Sequence, residues 1–530
     1  MTSLQAVSPI DGRVLGTYPT VSGADIALAM TKARAAGGVW ANYPVAARAN
    51  ILAQLSPLLL RELDAIVEII LQTTGKVRTE ALLGEVYPVL DLLHFYQKHA
   101  AGILREQAVP TSPFAFPGAT AKIERRPYGV VAVISPWNYP FQLSLAPMLS
   151  ALFAGNAVIL KTSELSLPVG QLLVELFGQL QLPDGLVQWL AGAGHTGEQL
   201  IDAGPDLVFF TGGLETGRAV MQRAARHPLP VLLELGGKDP MLVFADAQLE
   251  RARDAALYGA FCNSGQACIS VERLYVEQDC YETFKHSLLA GVAQLKVGHG
   301  HAADLGAMTS PGQFAILEAH YQDALAQGAQ VSGPLQRQGN YVTPVLLWDV
   351  HHGMRIMREE TFGPLLPVMP FSGEAQAVQL ANDNDYGLNA SIWSSDFAKA
   401  NRVACQLQTG NWVINDVIKN IGHPGLPFGG VKKSGFGRYH GAEGLRQFTY
   451  AVSGLSCRSR LPKEPNWFPY SDQRYAEFTG YLDFLYGAGS LYQRIRRNWQ
   501  ALQAFREYSA FDLKQRWQNF RLMLPWKRDY

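Results

Sequence analysis

Short apolar segments rich in β-branched residues alternate along the chain with longer segments whose apolar positions recur at helical spacing. The predicted strands are Val130–Ile134, Ala157–Leu160, Leu186–Leu190, Leu207–Phe210, Val231–Leu235 and Met241–Phe244. Pro168–Leu180 and Gln248–Phe261 are predicted helices between them. Strands that alternate with helices are typical of parallel sheets, so the pattern predicts the α/β fold class.

The N-terminal region has a helical pattern before the first of these strands. Helices are predicted at Ala24–Ala36, Ala47–Thr73 and Thr79–Lys98, and together they would form a layer on the first sheet. The segment Thr111–Pro127 is rich in Pro and Phe and ends in the strand-like Ala121–Arg126. This composition predicts an irregular loop that leads into a hairpin.

The chain after about residue 456 differs in kind, with many aromatic residues and roughly twice as many basic as acidic side chains. Its apolar residues recur at helical spacing, at Leu491, Ile495, Trp499, Leu502, Phe505, Trp517, Phe520 and Leu524. The spacing predicts one or two amphipathic helices. Two interpretations stay open: a helix docked on its own catalytic domain or on another subunit, or a helix on a membrane surface or near the substrate entrance.

Composition narrows the class of protein. A chain of 530 residues is long enough for two or three domains, and 48% hydrophobic with 17% charged residues is typical of a globular protein. The 45 basic and 45 acidic residues balance, which gives no overall field for nucleic acid. Five cysteines without regular spacing favour a reducing compartment, and no Cys/His cluster predicts a metal site. Without a signal sequence or a long apolar run, a cytoplasmic protein is expected.

Two short runs carry the candidate chemistry. Cys268 ends the run Phe261–Cys268, and Glu234 begins the run Glu234–Lys238 about thirty residues earlier. A thiol can add to a carbonyl, and a nearby carboxylate can activate a water that later releases the product. Covalent chemistry at a carbonyl is therefore the first hypothesis. Cys262 is expected to face away from Cys268 and to be structural.

These runs, with other segments in the same order, resemble the motifs of the aldehyde dehydrogenase superfamily. The other segments are Ser135–Pro140, Leu160–Glu164, Phe210–Gly213, Glu359–Pro364 and Pro427–Gly441. The resemblance extends from roughly residue 20 to residue 455, and several motifs in order over that length are far more specific than one. It implies an aldehyde-dehydrogenase-like fold with a Rossmann-type cofactor domain, an α/β catalytic domain and a small oligomerisation arm.

The resemblance also implies roles for individual residues. Cys268 would be the nucleophile, Glu234 the base and Asn138 the amide that stabilises the oxyanion. The cofactor would lie against Pro136, Trp137, Lys161, Glu164, Gly212, Gly213, Gly217, Glu360 and Phe362. NAD is favoured because the carboxylate of Glu164 would repel a 2′-phosphate, although Lys161 could offset that repulsion and leaves NADP open. A Gly-x-Gly-x-x-Gly after the first strand is missing.

The implied reaction is oxidation of an aldehyde to its carboxylic acid with NAD(P), through a thiohemiacetal and a thioester. The late motifs are most similar to the branch that acts on apolar, fatty or aromatic aldehydes. A thioester hydrolase or acyltransferase without redox chemistry, and a non-catalytic scaffold, are the alternatives. The expected domains are 1–114 with 130–235 for the cofactor, 236–425 for catalysis, 115–129 with 426–455 as the arm, and 456–530 as an extension. The arm implies a homodimer or a higher homo-oligomer.

Overall fold

The computed structural model describes residues 3–111, 116, 118–300, 302–458, 463–464 and 466–508, with side chains as far as residue 504. Two compact units are present. The first consists of Met1–Leu104 and Arg126–Tyr450, and the second of Arg105–Arg125 and Ala451–Tyr530. The predicted domain limits remain a prediction. Amphipathic helices were predicted from several tail positions, and four of these are not fully described. The structure does not describe Trp517, Phe520 and Leu524, and it describes no side chain for Phe505.

The first unit contains a six-stranded sheet. Its strands, in spatial order, are Gly435–Phe436, Val231–Glu234, Leu207–Thr211, Val130–Ile134, Ala157–Lys161 and Val187–Trp189. All pairs are parallel except that of Gly435–Phe436 with Val231–Glu234. Every residue of the strand Val130–Ile134 is buried, as expected for a parallel sheet covered by helices on both faces. All the strands predicted here are confirmed, within one residue at each end.

A seven-stranded sheet in the same unit follows in the chain. Its spatial order is Gln330–Val331, Val345–Trp348, Leu365–Phe371, Val271–Glu277, Asp239–Val243, Ser391–Trp393 and Val413–Ile414. Only the first of these strands is antiparallel to its neighbour. Short antiparallel pairs are formed by Ser3–Val7 with Val14–Pro19, Arg337–Gln338 with Tyr341–Val342, and Tyr386–Gly387 with Val431–Lys432.

Helices cover both sheets. In the first unit they are Gly23–Ala41, Val45–Leu52, Leu55–Arg61, Leu63–Thr74, Arg78–Ala81, Tyr87–Ile103, Pro140–Ala154, Leu167–Gly178, Gly194–Asp202, Leu214–Ala224, Leu249–Phe261, Tyr281–Val292, Gln313–Ala326, Arg355–Arg358, Gly373–Asn382, Phe397–Ala404 and Gly441–Gln447. Short 3-10 turns lie at Glu164–Ser166, Cys262–Gly265, Gln278–Cys280 and Lys419–Gly422. Helix Pro140–Ala154 is buried along its whole length.

Two predicted N-terminal helices are interrupted. The predicted helix Ala47–Thr73 is broken after Leu52 and again at Glu62. Pro57 explains the first break, because it has no N–H to donate to the carbonyl of Ala53. Thr79–Lys98 contains a π-helical turn at Leu82–Val86. Pro88 lies just after it and cannot donate to the carbonyl of Gly84, which favours the wider turn.

The second unit combines a small sheet with helices. Its three strands are Thr449–Cys457, Ala119–Pro127 and Gln107–Val109, in that spatial order, and the last two are antiparallel. The strand predicted at the end of Thr111–Pro127 is thus present. The helices are Asp472–Tyr486, Leu491–Arg497 and Trp499–Tyr508. Within the described chain, no helix combines the length and the apolarity needed to cross a bilayer.

Candidate active site

Three cavities adjoin one another in the first unit. A pocket of about 650 Å³, here called the tunnel, and a smaller one of about 270 Å³, here called the chamber, share Leu143 and Cys268. A cleft of about 520 Å³ shares Trp137, Gly212 and Gly213 with the same chamber. Cys268 therefore lines both the tunnel and the chamber, and the chamber also adjoins the cleft.

The backbone before Cys268 is constrained. The backbone is left-handed at Asn263, Ser264 and Gly265, with φ angles of 51°, 54° and 74°. Residues other than glycine rarely adopt such angles. The backbone N–H of Asn263 donates to Glu80 over 2.7 Å, and the hydroxyl of Ser264 donates to a backbone carbonyl over 2.8 Å. These bonds hold a conformation that costs energy, as is common where a reactive side chain must point into a cavity.

The surroundings of the Cys268 thiol favour its neutral form. Burial raises its pKa above the ordinary value, and the carboxylates of Glu360, Asp239 and Glu234 raise it further. The chamber therefore disfavours a thiolate unless a positive charge binds beside the sulfur or a base accepts the proton. Gly237 packs directly against this residue, because a Cβ on Gly237 would overlap the carbonyl oxygen of Cys268.

Glu234 ends the strand Val231–Glu234 and lines the chamber. The residue is only 5% exposed, and neither carboxylate oxygen has a hydrogen-bond partner among the described residues. Burial raises the pKa of this carboxyl well above its ordinary value, against a smaller opposite effect of Arg438. A buried, unpaired carboxyl is costly to the fold, and such groups are concentrated at functional sites.

Asn138 also lines the chamber. One N–H of its side-chain amide donates to the carbonyl of Gln266 over 3.0 Å. An asparagine amide has two N–H donors, so the second is left for a group in the chamber. The amide is thereby tied to the segment that contains Cys268.

The cleft is lined by most of the residues predicted to contact a cofactor. They are Pro136, Trp137, Lys161, Glu164, Gly212 and Gly213. Gly213 precedes the helix Leu214–Ala224, and a Cβ on Gly213 would meet no atom within 4 Å, so the turn leaves open space at a helix N-terminus. The Nζ of Lys161 lies 3.8 Å from the carboxylate of Glu164, which is about half exposed to the cleft.

Gly217 has a different position from the other predicted cofactor residues. It is buried within the helix Leu214–Ala224, where a Cβ would overlap the side chain of Leu235, and it does not line the cleft. Its visible role is to let this helix pack closely against the chain after Glu234.

Glu360 and Phe362 line the chamber. The carboxylate of Glu360 accepts the backbone N–H of Gly237 over 3.1 Å. Burial, followed by the nearby Glu272, raises the pKa of Glu360 to about 8. The ring of Phe362 meets Trp137 edge-on, with 5.5 Å between the ring centroids. This contact joins the two predicted cofactor loops.

The tunnel wall is largely apolar, and it includes Cys262. Its lining includes Leu83, Tyr87, Leu143, Ile269, Val417, Ile418 and Ile421. The expectation that Cys262 faces away from Cys268 is wrong, because both residues line this tunnel. The helix ends at Phe261 and the left-handed residues follow, so helical spacing does not carry over from one cysteine to the other. Cys262, Cys268, Cys280 and Cys405 are free thiols.

Sequence reasoning missed the buried charges that support the site. Lys76 pairs with Glu85 and Lys238 pairs with Glu272, at 2.5 Å and 2.6 Å. One signal was available: Glu272 and Arg273 are charged residues within the buried strand Val271–Glu277, and charges in a buried strand need partners. No such signal identifies the first pair, whose residues lie in a helical region with many charges.

Comparison with known proteins shows similarity over most of the chain. A family model described as the aldehyde dehydrogenase family matches residues 1–453. A relative named 4,4'-diapolycopene aldehyde oxidase, from Methylomonas sp, is 68% identical over 529 residues, which is 100% of both chains. A putative succinate-semialdehyde dehydrogenase (NADP+) from Mycolicibacterium smegmatis is 35% identical over 455 residues, covering 84% of this chain and 87% of the relative.

Solved structures are similar in fold. An aldehyde dehydrogenase from Brucella melitensis biovar abortus 2308 has a TM-score of 0.83 at 31% identity, covering 87% of this chain and 95% of the other. A betaine aldehyde dehydrogenase from Staphylococcus aureus in complex with NAD+ has a TM-score of 0.82 at 29% identity, covering 88% and 94%. The fold is thus shared with proteins of one family.

Proposed function

The chain belongs to the aldehyde dehydrogenase family and oxidises an aldehyde to its carboxylic acid with NAD or NADP; we propose that its substrate is a long apolar aldehyde and that Cys268, Glu234 and Asn138 carry out the chemistry. The single observation that carries this proposal is the position of Cys268, at the point where an apolar tunnel and a polar cleft reach the same chamber.

The tunnel supports an apolar substrate. Side chains such as Leu83, Ile269 and Val417 line it, and a volume of about 650 Å³ leaves room for a chain well beyond a few carbon atoms. Removing such a chain from water favours binding by ~0.8 kcal/mol for each buried CH₂. The diapolycopene aldehyde in the name of the 68% identical relative is accordingly the first compound to test.

The reaction begins at Cys268. Its sulfur adds to the aldehyde carbon, and the carbonyl oxygen becomes an oxyanion that accepts hydrogen bonds from the free N–H of Asn138 and from the backbone N–H of Cys268. The thiol proton passes to water in this step. Loss of hydride from the same carbon then leaves a thioester on Cys268.

Glu234 releases the product. Its unpaired carboxylate lies in the same chamber as Cys268 and can accept a proton from a water that attacks the thioester carbon. The C–S bond breaks, the carboxylic acid leaves, and the sulfur regains a proton. A base in this position favours hydrolysis over transfer of the acyl group to another thiol.

The residues of the cleft fit a dinucleotide. When bound, the nicotinamide supplies the hydride acceptor, and the protein's part is to hold that ring against the chamber. Gly213 leaves open space for phosphate at a helix N-terminus, and Gly212, Pro136 and Trp137 line the same cleft. The carboxylate of Glu164 would accept the adenosine ribose hydroxyls beside Lys161, which favours NAD.

At the chamber end of the cleft, Glu360 would accept hydroxyl hydrogens of the second ribose, and Phe362 would pack against the ring region. Both residues line the same chamber as Cys268, which supports these roles. Gly217 would act by packing rather than by contact with the cofactor.

The second unit would provide contacts with other molecules. Its sheet ends in the strands Thr449–Cys457 and Gln107–Val109, and pairing of such an edge with another copy would give a homodimer or a higher oligomer. Sedimentation of the purified chain tests this, since a monomer at micromolar concentration would contradict it.

The same unit would contact a membrane surface. Aromatic side chains at least 55% exposed occur at Trp467, Phe468, Tyr470, Tyr475, Tyr486, Tyr492 and Trp499. Three arginines lie in the last turn of the helix Leu491–Arg497. Aromatic and basic residues together suit an anionic bilayer surface. Salt-sensitive co-sedimentation with anionic but not neutral vesicles is expected, and equal recovery without vesicles would contradict the proposal.

The function itself is tested by absorbance at the nicotinamide band. Purified protein is mixed with NAD or NADP and with straight-chain aldehydes of increasing length, then with diapolycopene aldehyde. Reduced cofactor should form, and kcat/KM should rise by up to about fourfold for each added CH₂ until the tunnel is filled. Fastest turnover of short, charged aldehydes would contradict the substrate proposal. Cofactor-free ester cleavage that needs Cys268 would contradict the assigned chemistry.

A further inference from the structure

Two buried ion pairs lie beside the chamber. Both side chains are fully buried in the Lys76–Glu85 pair, and the side chains of Lys238 and Glu272 are 0% and 5% exposed. In the part of the chain that the structure describes, no other Lys or Arg ion pair is this deeply enclosed. Burying two charges contributes little net stability, because desolvation offsets their attraction. The two pairs are therefore better explained by the backbone that they hold in place than by a contribution to stability.

The Lys76–Glu85 pair holds the loop that contains Asn138 from both sides. The Nζ of Lys76 donates to the backbone carbonyl of Asn138 over 2.9 Å. One carboxylate oxygen of Glu85 accepts the backbone N–H of Phe141 over 2.7 Å and that of Gln142 over 3.2 Å. These N–H groups begin the helix Pro140–Ala154 and would otherwise lack partners. The pair thus fixes the backbone just before and just after the turn from Asn138 into the helix.

The Lys238–Glu272 pair holds the loop that contains Glu360 in a similar way. The two carboxylate oxygens of Glu272 accept the backbone N–H groups of Thr361 and Phe362, each over 2.8 Å. The Nζ of Lys238 donates to the hydroxyl of Thr361 over 3.0 Å. Phe362 has a left-handed φ of 52°, a conformation that a non-glycine residue keeps only when its surroundings impose it.

We propose that these pairs position the two halves of the site separately: Lys76 and Glu85 set the amide of Asn138, whereas Lys238 and Glu272 set the loop of Glu360 and Phe362. Each is a positioning pair, since its bonds go to loop backbone or to a neighbouring hydroxyl. The proposal rests on the proposed function, in which the first loop stabilises the oxyanion and the second holds the nicotinamide end of the cofactor.

The experiment uses two double variants of the full chain, Lys76→Met/Glu85→Gln and Lys238→Met/Glu272→Gln. Both remove charge; Gln has the length of Glu, and Met is one atom shorter than Lys. Arg402→Met/Glu374→Gln is the matched control, because this ion pair is exposed and lines none of the three cavities. Stopped-flow absorbance gives the first-turnover rate of cofactor reduction, and steady-state rates give the KM for the cofactor.

The two variants should affect different parameters. The first should slow the first turnover by about 10- to 100-fold, the range expected when an oxyanion donor is displaced, with the cofactor KM within roughly threefold of native. The second should raise the cofactor KM by about tenfold, the effect of displacing one good contact, with the first turnover at saturating cofactor within roughly threefold. The control should change neither. Parallel loss of both parameters in both variants would overturn the proposal.

Two further measurements keep the outcome interpretable. Thermal melts and circular dichroism show whether each double variant folds. If one does not, the single variants Glu85→Gln and Glu272→Gln are used instead. Glu85→Gln should then slow the first turnover, and Glu272→Gln should raise the cofactor KM. Cofactor binding is also followed by fluorescence without aldehyde. If the native chain reduces no cofactor, the proposed function fails, whereas the second half of this inference is still decided by whether Glu272→Gln weakens cofactor binding and Glu85→Gln does not.

Discussion

The tunnel and the cleft reach the same chamber but use opposite kinds of contact. The tunnel wall consists mostly of apolar side chains, such as Ile269 and Ile421, which favour a ligand by excluding water. The cleft uses a glycine turn, a helix N-terminus and the charges of Lys161 and Glu164. The difference teaches that an apolar wall selects a ligand by its shape and apolarity, whereas directional polar groups select a ligand by the groups with which it can form hydrogen bonds.

Removing the Cys268 thiol, which lines the chamber that the tunnel and the cleft both adjoin, should have the largest effect. Cys268→Ala should lower cofactor reduction with every aldehyde by at least ~10³-fold, because no other group in the chamber can form the thioester. Binding of NAD should persist, since the cleft itself is not altered. Stopped-flow reduction and fluorescence titration measure the two properties. Reduction that survives in the variant would place the nucleophile elsewhere.

Changing Glu234 should separate the two half-reactions. Glu234→Gln should slow acid release by about 10²- to 10³-fold, as expected for loss of a general base, and should leave a rapid first turnover of cofactor reduction. Because the raised pKa keeps native Glu234 protonated at low pH, acid release by the native chain should accelerate as pH rises. A pH profile of steady-state turnover tests this, and an unchanged profile in the variant would contradict the role.

A polar group in the tunnel should affect only long substrates. Ile421→Asn should lower kcat/KM for long aldehydes by about tenfold, through loss of ~1.5 kcal/mol of apolar contact, and should barely affect acetaldehyde. Ile51→Asn is the matched control, since Ile51 is also a partly buried residue of the same core but does not line the tunnel. Equal losses for short and long aldehydes would indicate general damage to the fold.

The smallest expected effect is a pH dependence of cofactor binding. With a pKa of about 8, Glu360 is mostly protonated at neutral pH and becomes a carboxylate above that value. The cofactor KM should fall by roughly fivefold as pH rises through 8, because a hydrogen bond to a carboxylate is worth about 1 kcal/mol more than one to a neutral carboxyl. Glu360→Gln should abolish the trend, and a KM that rises with pH would contradict it.

The main features of the molecule were predictable from its sequence. The family, the α/β fold and an NAD(P)-dependent oxidation of an aldehyde are confirmed. The strands Val130–Ile134 and Ala157–Lys161 were recognisable because both faces are buried, so Val130–Ile134 and Ala157–Leu160 are uninterrupted apolar runs. Interruptions of the N-terminal helices were missed because Pro57 and Pro88 act locally within otherwise helical patterns.

Other features of the site depend on the path of the backbone. The position of Cys262 on the tunnel wall follows from left-handed residues that no periodicity reveals. Gly217 matched a glycine pattern but serves helix packing, which depends on the distant Leu235. Lys76 and Glu85 lie nine residues apart, yet their importance comes from a loop more than fifty residues further along the chain.

The most direct test of the central claim is mass spectrometry of Glu234→Gln after incubation with NAD and a long apolar aldehyde. The account predicts a covalent adduct on the peptide that contains Cys268, with the mass of the aldehyde less two hydrogen atoms, since the thiol proton and a hydride have both left. No such adduct, an adduct that keeps both hydrogens in the presence of NAD, or one on a peptide without Cys268, would contradict the account.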